Sequence, residues 1–327
     1  VSKRPVRIAL AGSTGYSGQE FLSLLRGQES DFTVEARIGR EDKLQELKGR
    51  VDLAVLCTPN EVSLEMAPVL LEQGISVIDV SGAFRLKKHG YPEWYGFEHT
   101  APQWLARSEY GLHPWQSIKP HDGAAPRLIA NPGCYATAVA MALLPALRAK
   151  LLDPKHLFID AKSGTSGAGK KASADLLFTE LFGEFKPYKV GKHQHWPEIV
   201  ETVASYGGGA IDPVFVTELL PIERGISVAV FGEWAPELPT SLRNAEALVQ
   251  AFADAYAKNP DISFGSGAEL ASLKAVQRTN RFHVQATVAF GKPVLFAVID
   301  NLVRGAAGQA LVNARAWAGL PTQKGLS

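Results

Sequence analysis

Cys134 stands in the run Asn131-Pro132-Gly133-Cys134-Tyr135, between a short apolar stretch and an Ala/Leu-rich one. Pro132 and Gly133 are turn residues, so the run reads as strand, turn and helix. A cysteine on the first turn of a helix meets unpaired backbone N–H groups and the positive end of the helix dipole. Both favour the thiolate, which is the nucleophilic form. A buried cysteine serving as a small core residue is the alternative. The other cluster of reactive types is Lys192-His193-Gln194-His195-Trp196-Pro197-Glu198. If the segment is extended, His193 and His195 point the same way. One of them suits the acid/base partner of the thiol, with Glu198 orienting its ring. Zinc between these histidines and a cysteine lacks an evident fourth ligand, and no metal is expected.

Three stretches offer contacts to anions. Gly12-Ser13-Thr14-Gly15-Tyr16-Ser17-Gly18 follows the apolar run from Val6 to Ala11 and precedes a helical run from Gln19 to Leu25. Strand, glycine turn and helix is the arrangement that seats a pyrophosphate on a helix N-terminus. The glycine spacing is not G-x-G-x-x-G, so a tight turn that binds nothing stays open. Lys162-Ser163-Gly164-Thr165-Ser166-Gly167-Ala168-Gly169-Lys170-Lys171 nearly spells a P-loop. It fails at Lys171, where a Ser or Thr must reach Mg²⁺. The stretch reads instead as a small-residue loop whose backbone N–H groups and lysines hold an anionic substrate. Arg224, at a turn before a strand, suits a clamp for a carboxylate or phosphate, or one half of a surface ion pair.

The elements that must position these groups alternate in the first half. Strands are predicted over Val6 to Ala11, Phe32 to Ile38, Val51 to Cys57 and Ile75 to Val80, with a helix over Val62 to Leu71 between the last two. That pattern implies a parallel, doubly wound sheet whose strand ends face the ligand. The loops at those ends are Gly12 to Gly18, Cys57 to Asn60 and Ser81 to Arg85. Arg37 and Arg40 close the second strand, where an NAD site would carry an acid. Guanidinium groups suit a 2′-phosphate, so the cofactor expected is NADP. Cys57 reads as a core residue. Residues 84–126 are aromatic and Pro-rich, and read as long ordered loops covering the site. The second half is predicted α+β. Its elements are a strand over Leu157 to Ala161, a helix over Ala172 to Leu181, a strand over Ser227 to Phe231 and a helix over Ala245 to Ala257. Strands over Phe282 to Phe290 and Pro293 to Asp300 follow. A last helix, Val303 to Trp317, is expected to return to the first domain.

The chain has 327 residues, room for two domains, and two cysteines, too few for a disulfide framework. Its net charge of +1 gives no field that would recruit nucleic acid or an anionic membrane. No apolar run approaches the length of a membrane span, and no signal peptide is seen, so a cytoplasmic enzyme is expected.

Taken in order, GSTGYSG (12–18), IDVSGAFRL (78–86), WYGFEH (94–99), NPGCY (131–135), AKSGTSGAGKKA (161–172), HQHWPEI (193–199), LLPIERGI (219–226) and IDNLVRGAAGQA (299–310) resemble the N-acetyl-γ-glutamyl-phosphate reductase family of arginine biosynthesis. The resemblance implies a Rossmann-like NADP-binding domain, 1–133 plus 303–327. A catalytic α+β domain of the semialdehyde dehydrogenase type, 134–302, would also carry substrate binding and oligomerisation. It implies NADPH-dependent reduction of N-acetyl-L-glutamyl 5-phosphate to the 5-semialdehyde and phosphate, by a homodimer or homotetramer. Carried over by motif, Cys134 is the nucleophile and His195 the acid/base, with Glu198 close to it. Gly12 to Gly18, Ser81 and Asn301 fall on the cofactor, joined by Arg37 and Pro59 from the strand-end loops read above. Arg85, Ser163, Gly164, His193 and Arg224 fall on the substrate. The chain departs from the family's pattern in a shorter stretch over 39–50, in Ala136 for Pro, and in His113-Pro114-Trp115 for a Pro-Glu sequence. It also has Glu218 for a His, a change expected to bear on the substrate pocket. The other readings are a reductase of carrier-protein-linked aminoadipyl phosphate in lysine biosynthesis, an aspartate-semialdehyde dehydrogenase, and a non-catalytic NADP-binding regulator.

Overall fold

The computed structural model describes residues 4–39, 42–87, 90–266, 271–324 and 326. It divides into two compact units, Val1–Gly133 with Ala306–Ser327, and Cys134–Gly305. The first alternates β1 (Val6–Ala11), α1 (Tyr16–Leu24), β2 (Phe32–Ile38), β3 (Leu53–Leu56), α2 (Asn60–Glu72) and β4 (Ser76–Asp79). β3 and β4 are buried at every residue, as parallel strands covered on both faces must be. Residues 84–126 are not loop throughout. They carry α3 (Tyr91–Tyr95), α4 (Pro102–Arg107) and β5 (Glu109–Tyr110) before β6 (Leu128–Ala130). Each of these helices has a proline in its first turn and is too short to show a period. The sheet is parallel throughout, in the order β2-β1-β3-β4-β6-β5. Its order reverses between β1 and β3, which places the ligand crevice at their carboxyl ends.

The second unit opens with α5 (Cys134–Arg148) and continues through β7 (Leu152–Ser163), α6 (Phe178–Leu181), β8 (Lys186–Pro187), α7 (His195–Ser205), β9 (Val214–Leu219) and β10 (Ile226–Trp234). It ends with α8 (Ala245–Tyr256), β11 (Ile262–Ser266), β12 (Phe282–Ala289) and β13 (Lys292–Ile299). The strands form a mixed sheet, β11-β12-β13-β10-β7-β9-β8. α5 is buried on every side from Tyr135 to Leu147, the mark of a central helix. Pro145 inside it has no N–H for the Met141 carbonyl one turn back. The Tyr256 hydroxyl of α8 donates to that carbonyl instead, at 2.6 Å.

Several elements differ from expectation. The helix expected over Ala172 to Leu181 is reduced to a 3₁₀ turn, Ala174–Leu176, and the single turn of α6. Leu177, Phe178 and Phe182 stay exposed, so no packed face sustains a longer helix. β8, β9 and β11 extend the sheet where no strand was expected. The expected last helix begins as a π-helical turn, Val303–Ala307, and becomes α9 (Gly308–Trp317). Within the first unit, Ala310, Leu311, Ala314 and Trp317 of α9 share an apolar cluster with Ile8, Leu10, Val55 and Ile129. No described helix is long and apolar enough to cross a membrane.

Candidate active site

The β1–α1 turn of the first unit is built on Gly12. Its φ is +73°, and a Cβ there would stand 2.2 Å from the Cys57 carbonyl oxygen. α1 starts at Tyr16, earlier than the expected Gln19, so Gly18 lies in its first turn. A Cβ on Gly18 would stand 2.3 Å from the Gly12 oxygen. Backbone meets backbone at both positions, which accounts for glycine there. Gly15 is the N-cap, and Tyr16 and Ser17 are the first residues of the helix. The turn, the end of β2 and the start of α2 enclose a cavity of about 540 Å³. Gly12, Ser13, Thr14, Arg37, Thr58 and Pro59 are among its walls. Asp42, also in the wall, accepts the Gly39 N–H at 2.7 Å. Arg40 lies outside the described residues. An open helix N-terminus, a close-packed turn of glycines and small hydroxyl residues and a guanidinium at the rim fit the phosphate and adenosine parts of a dinucleotide.

Ser81 and Arg85 lie at the end of β4. The Ser81 hydroxyl donates to Asp79 at 2.9 Å and accepts the Ala83 N–H at 3.1 Å. Arg85, expected on the substrate, donates from Nε to the Asn131 carbonyl and from Nη2 to the Val80 carbonyl, each at 2.7 Å. Those bonds tie the ends of β4 and β6 together, so Arg85 braces the turn that leads to Cys134. Burial pushes the Cys57 thiol up to about 12, in keeping with a packed cysteine.

In the second unit α5 begins at Cys134 itself. Tyr135 is buried beside it, with its ring edge-on to His193 at 5.2 Å and to His195 at 6.0 Å. The Tyr188 hydroxyl donates to the Tyr135 oxygen at 2.9 Å. Burial pushes both phenols above their ordinary range, and the nearby Cys134 thiol adds to the rise. The thiol, two phenols and two imidazoles therefore form one cluster. The segment around the histidines is not extended. His195 is the first residue of α7, and Glu198 follows one turn later, buried, with Oε2 4.0 Å from His195 Nε2. Pro197 is tolerated because it falls in the first turn. The i, i+3 spacing on a helix brings Glu198 to His195. Among the described residues no three His, Cys, Asp or Glu side chains are grouped as a metal site requires.

The loop after β7 does not present its first N–H groups to a ligand, as its composition had suggested. Gly164, Thr165 and Ser166 donate theirs to the carbonyls of Gly225, Ile222 and Glu223, each at 2.9 Å. A Cβ on Gly164 would meet the Arg224 nitrogen at 2.8 Å, so glycine allows this docking. Ser163, at the end of β7, is buried and donates to the Gly164 carbonyl at 2.9 Å. Arg224 is not a surface residue. It is 6% exposed, with Nη1 3.4 Å from Asp300 and Nε 3.3 Å from Glu223. Asp300 also accepts the N–H groups of Arg278, Leu302 and Val303. Asn301, expected on the cofactor, accepts the Gly225 N–H at 2.7 Å and donates to Ser166 at 3.0 Å. Glu218 pairs with Lys162 across β9 and β7 at 3.3 Å. Strand alternation sends both to the sheet face opposite Ser163 and Thr217. The change at Glu218 is therefore away from the face of the candidate site.

Tyr135, Tyr188, Asp300 and Gly305 were not singled out from sequence. Gly305 lies in the π-helical turn, and a Cβ on it would stand 2.6 Å from the Cys134 Cβ. A glycine inside a helical pattern was the available signal. Tyr188, in an irregular stretch, gave none.

Residues 134–301 match the family model of the semialdehyde dehydrogenase dimerisation domain, and residues 35–122 that of the semialdehyde dehydrogenase NAD binding domain. Aspartate semialdehyde dehydrogenase II from Vibrio cholerae, complexed with ASA, has a TM-score of 0.71 at 18% identity, over 96% of this chain and 98% of that one. The Candida albicans enzyme with NADP gives 0.67 at 14%, over 94% and 97%. These two likenesses carry the fold alone. N-acetyl-γ-glutamyl-phosphate reductases from Halorhodospira halophila and Nitrosomonas eutropha are 36% and 34% identical, each over 98% of both chains. With that identity over nearly its whole length, the chain belongs to the N-acetyl-γ-glutamyl-phosphate reductase family, on the semialdehyde dehydrogenase fold.

Proposed function

We propose that the chain reduces N-acetyl-L-glutamyl 5-phosphate to N-acetyl-L-glutamate 5-semialdehyde, releasing phosphate, as a cytoplasmic enzyme of arginine biosynthesis. The observation that carries the chemistry is Cys134 at the first position of α5, clustered with the head of α7 where His195 and Glu198 stand together. The Cys134 thiolate attacks the acyl carbon. The bond from that carbon to the phosphate oxygen breaks, phosphate leaves with the electron pair, and a thioester remains on Sγ. When bound, NADPH supplies the hydride that lowers the acyl carbon to the aldehyde level. N–H groups at the start of α5 face the developing oxyanion, an effect of roughly 3 kcal/mol per donor in comparable sites. His195 holds the proton taken from Sγ and returns it as the thiolate leaves, worth about 10²–10⁴ in rate. Glu198 orients that imidazole.

The preference for NADP over NAD rests on Arg37 at the cavity rim, with Asp42 in the same wall already accepting the Gly39 N–H. Gly12 to Gly18 and Pro59 would hold the pyrophosphate and adenosine. Ser81 and Asn301 are assigned to the cofactor through the family pattern. Ser163, His193 and Arg224 are assigned to the substrate, with Gly164 and Arg85 shaping their surroundings. Assembly as a homodimer or homotetramer is supported by the match to a dimerisation domain. The test is oxidation of N-acetylglutamate 5-semialdehyde with phosphate and NADP. Turnover that needs phosphate, and is abolished in Cys134→Ser, is expected. Turnover without phosphate, or with the serine variant, would sink the thioester route.

A further inference from the structure

We propose that His193 is a neutral histidine locked in its Nε2–H tautomer, a fixed hydrogen-bond donor to a substrate oxygen, leaving His195 alone of the pair to carry the reaction's proton. The proposal rests on the active-site reading above and divides the labour of its two histidines.

The lock begins with one hydrogen bond. The His195 main-chain N–H donates to His193 Nδ1 at 3.1 Å. A peptide N–H can only donate, so Nδ1 must present a lone pair. An imidazolium carries a proton on both nitrogens and cannot accept there. A neutral ring that accepts at Nδ1 has its proton on Nε2.

The same bond has a second task. The first N–H groups of α7 have no carbonyl one turn back. Gln194, the N-cap, gives no side-chain cap bond. His193 takes its place, with Nδ1 accepting from His195 and its carbonyl accepting the Trp196 N–H at 2.9 Å. Protonating His193 would strip α7 of that cap and set a charge against the positive end of the helix.

The ring cannot turn to escape this arrangement. Tyr135, Tyr188, His195 and Phe215 surround it with centroids 4.9 to 5.7 Å away, all at steep angles to its plane. The titratable groups that act on it are His195 and Lys189, both cations when charged, and the two phenols. Burial, then His195, then Lys189 push the His193 pKa down to about 2. The carboxylate of the cluster, Glu198, sits by His195 Nε2 instead. One imidazole is thus denied a proton by its contacts, and the other has a carboxylate to receive one. A fixed Nε2–H matches a carbonyl, carboxylate or phosphoryl oxygen.

The test is ¹⁵N NMR of the intact protein labelled at its histidines. The His193 signals are identified by their loss in His193→Gln. They should show the Nε2–H pattern and stay unmoved from about pH 5 to 9, where ordinary imidazoles titrate. In the assay, His193→Gln keeps a donor near the Nε2 position and should lose less than tenfold in kcat/KM. His193→Leu should lose about 10- to 100-fold, chiefly in KM, the usual loss for a buried donor to a charged group. Neither variant should move the pH limb that reports His195. A His193 signal that titrates in this window, an Nδ1–H pattern, or a shifted limb in His193→Gln overturns the proposal. If the variants fail to fold, a wild-type spectrum in which all eight histidines titrate overturns it as well. A locked His193 in a protein without phosphate-dependent activity would uphold the lock and count against the reductase reading.

Discussion

In the first unit the turn that borders the candidate cofactor cavity is shaped by main chain packed against main chain. Gly12 and Gly18 are there because a Cβ would strike a carbonyl oxygen, and the helix offers its N–H groups rather than a side chain. In the second unit the candidate chemistry is carried by side chains drawn from five stretches far apart in sequence. Cys134, Ser163, His193 with His195, Arg224 and Asp300 are held by a buried network of phenols, amides and carboxylates. A main-chain cradle follows from local spacing, whereas a side-chain constellation depends on how distant elements pack. The two should also fail differently. Damage to the cradle should read as lost cofactor affinity and stability, and damage to the constellation as lost turnover in a folded protein.

The largest expected effect is on Cys134, the proposed nucleophile. Cys134→Ser should lower kcat by more than about 10³-fold, because a serine hydroxyl is a far weaker nucleophile than an activated thiolate. NADP binding, followed by quenching of protein fluorescence, should be retained. A loss of both would show that the two surfaces are not separable.

Gly305→Ala probes how tightly the constellation is held. Its Cβ would press on Cys134 Cβ at 2.6 Å and on Ile299 at 3.4 Å. A displacement near 1 Å of a reacting group costs about 100-fold in kcat. That loss should appear with KM for NADP unchanged. Unaltered kcat would mean that Cys134 tolerates movement and that the π-helical turn does not set its position.

Gly12→Ala is the matching change in the cradle. Positive φ alone costs about 1–3 kcal/mol for a residue with a Cβ, and the clash with Cys57 adds to it. Urea denaturation should show that loss, and KM for NADP should rise by at least tenfold on the same order-of-magnitude grounds. A stable variant with normal KM would remove the close approach at Gly12 from the account.

How far the sequence showed these surfaces follows the same division. The strand–glycine–helix unit and the alternation after it were legible because their signals are local: apolar runs, glycines and short spacings. Cys134 at a helix start was legible for the same reason. The partnership of His195 and Glu198 was legible from residue types, but not the helix that makes it, since α7 begins on a His-Trp-Pro run with little helical pattern. The small-residue loop over 162–171 misled because composition cannot tell an N–H aimed at a ligand from one bonded to the turn at 222–225. Arg85 shows the same limit, because two of its N–H groups donate to the Asn131 and Val80 carbonyls, which only the packed β4 and β6 bring near. Tyr188 was invisible, because a lone tyrosine in an irregular stretch has no periodic neighbour to mark which way it faces.

Tyr256→Phe should have a small effect on stability. It leaves the Met141 carbonyl, already without a helical donor because of Pro145, unbonded in the core. An unsatisfied buried carbonyl costs about 1–3 kcal/mol, readable as a lower urea midpoint, while kcat should stay within twofold. A large fall in kcat would extend the active constellation along α5 to Met141, well past its first turn.

The smallest effect is expected at Glu218, and it sharpens the boundary of the constellation. The sequence placed Glu218 beside the substrate pocket, in the run that leads to Arg224. The strand register puts its neighbours Thr217 and Leu219 on one face and Glu218 on the other, facing Lys162. Lys162 also meets Asp160 on its own strand. Both members of the pair keep about a quarter of their side-chain surface in solvent. The paired Oε2 of Glu218 is itself shielded, but the partly exposed side chains keep much of their hydration, and such pairs contribute about 0–1 kcal/mol. Glu218→Gln should lower stability by less than about 1 kcal/mol and leave KM for the acyl phosphate and kcat unmoved within twofold. The loss in stability should shrink further in high salt. If KM for the acyl phosphate instead rose tenfold while stability held, Glu218 would have to face the substrate, and the register that separates the two faces of β9 would be wrong at that position.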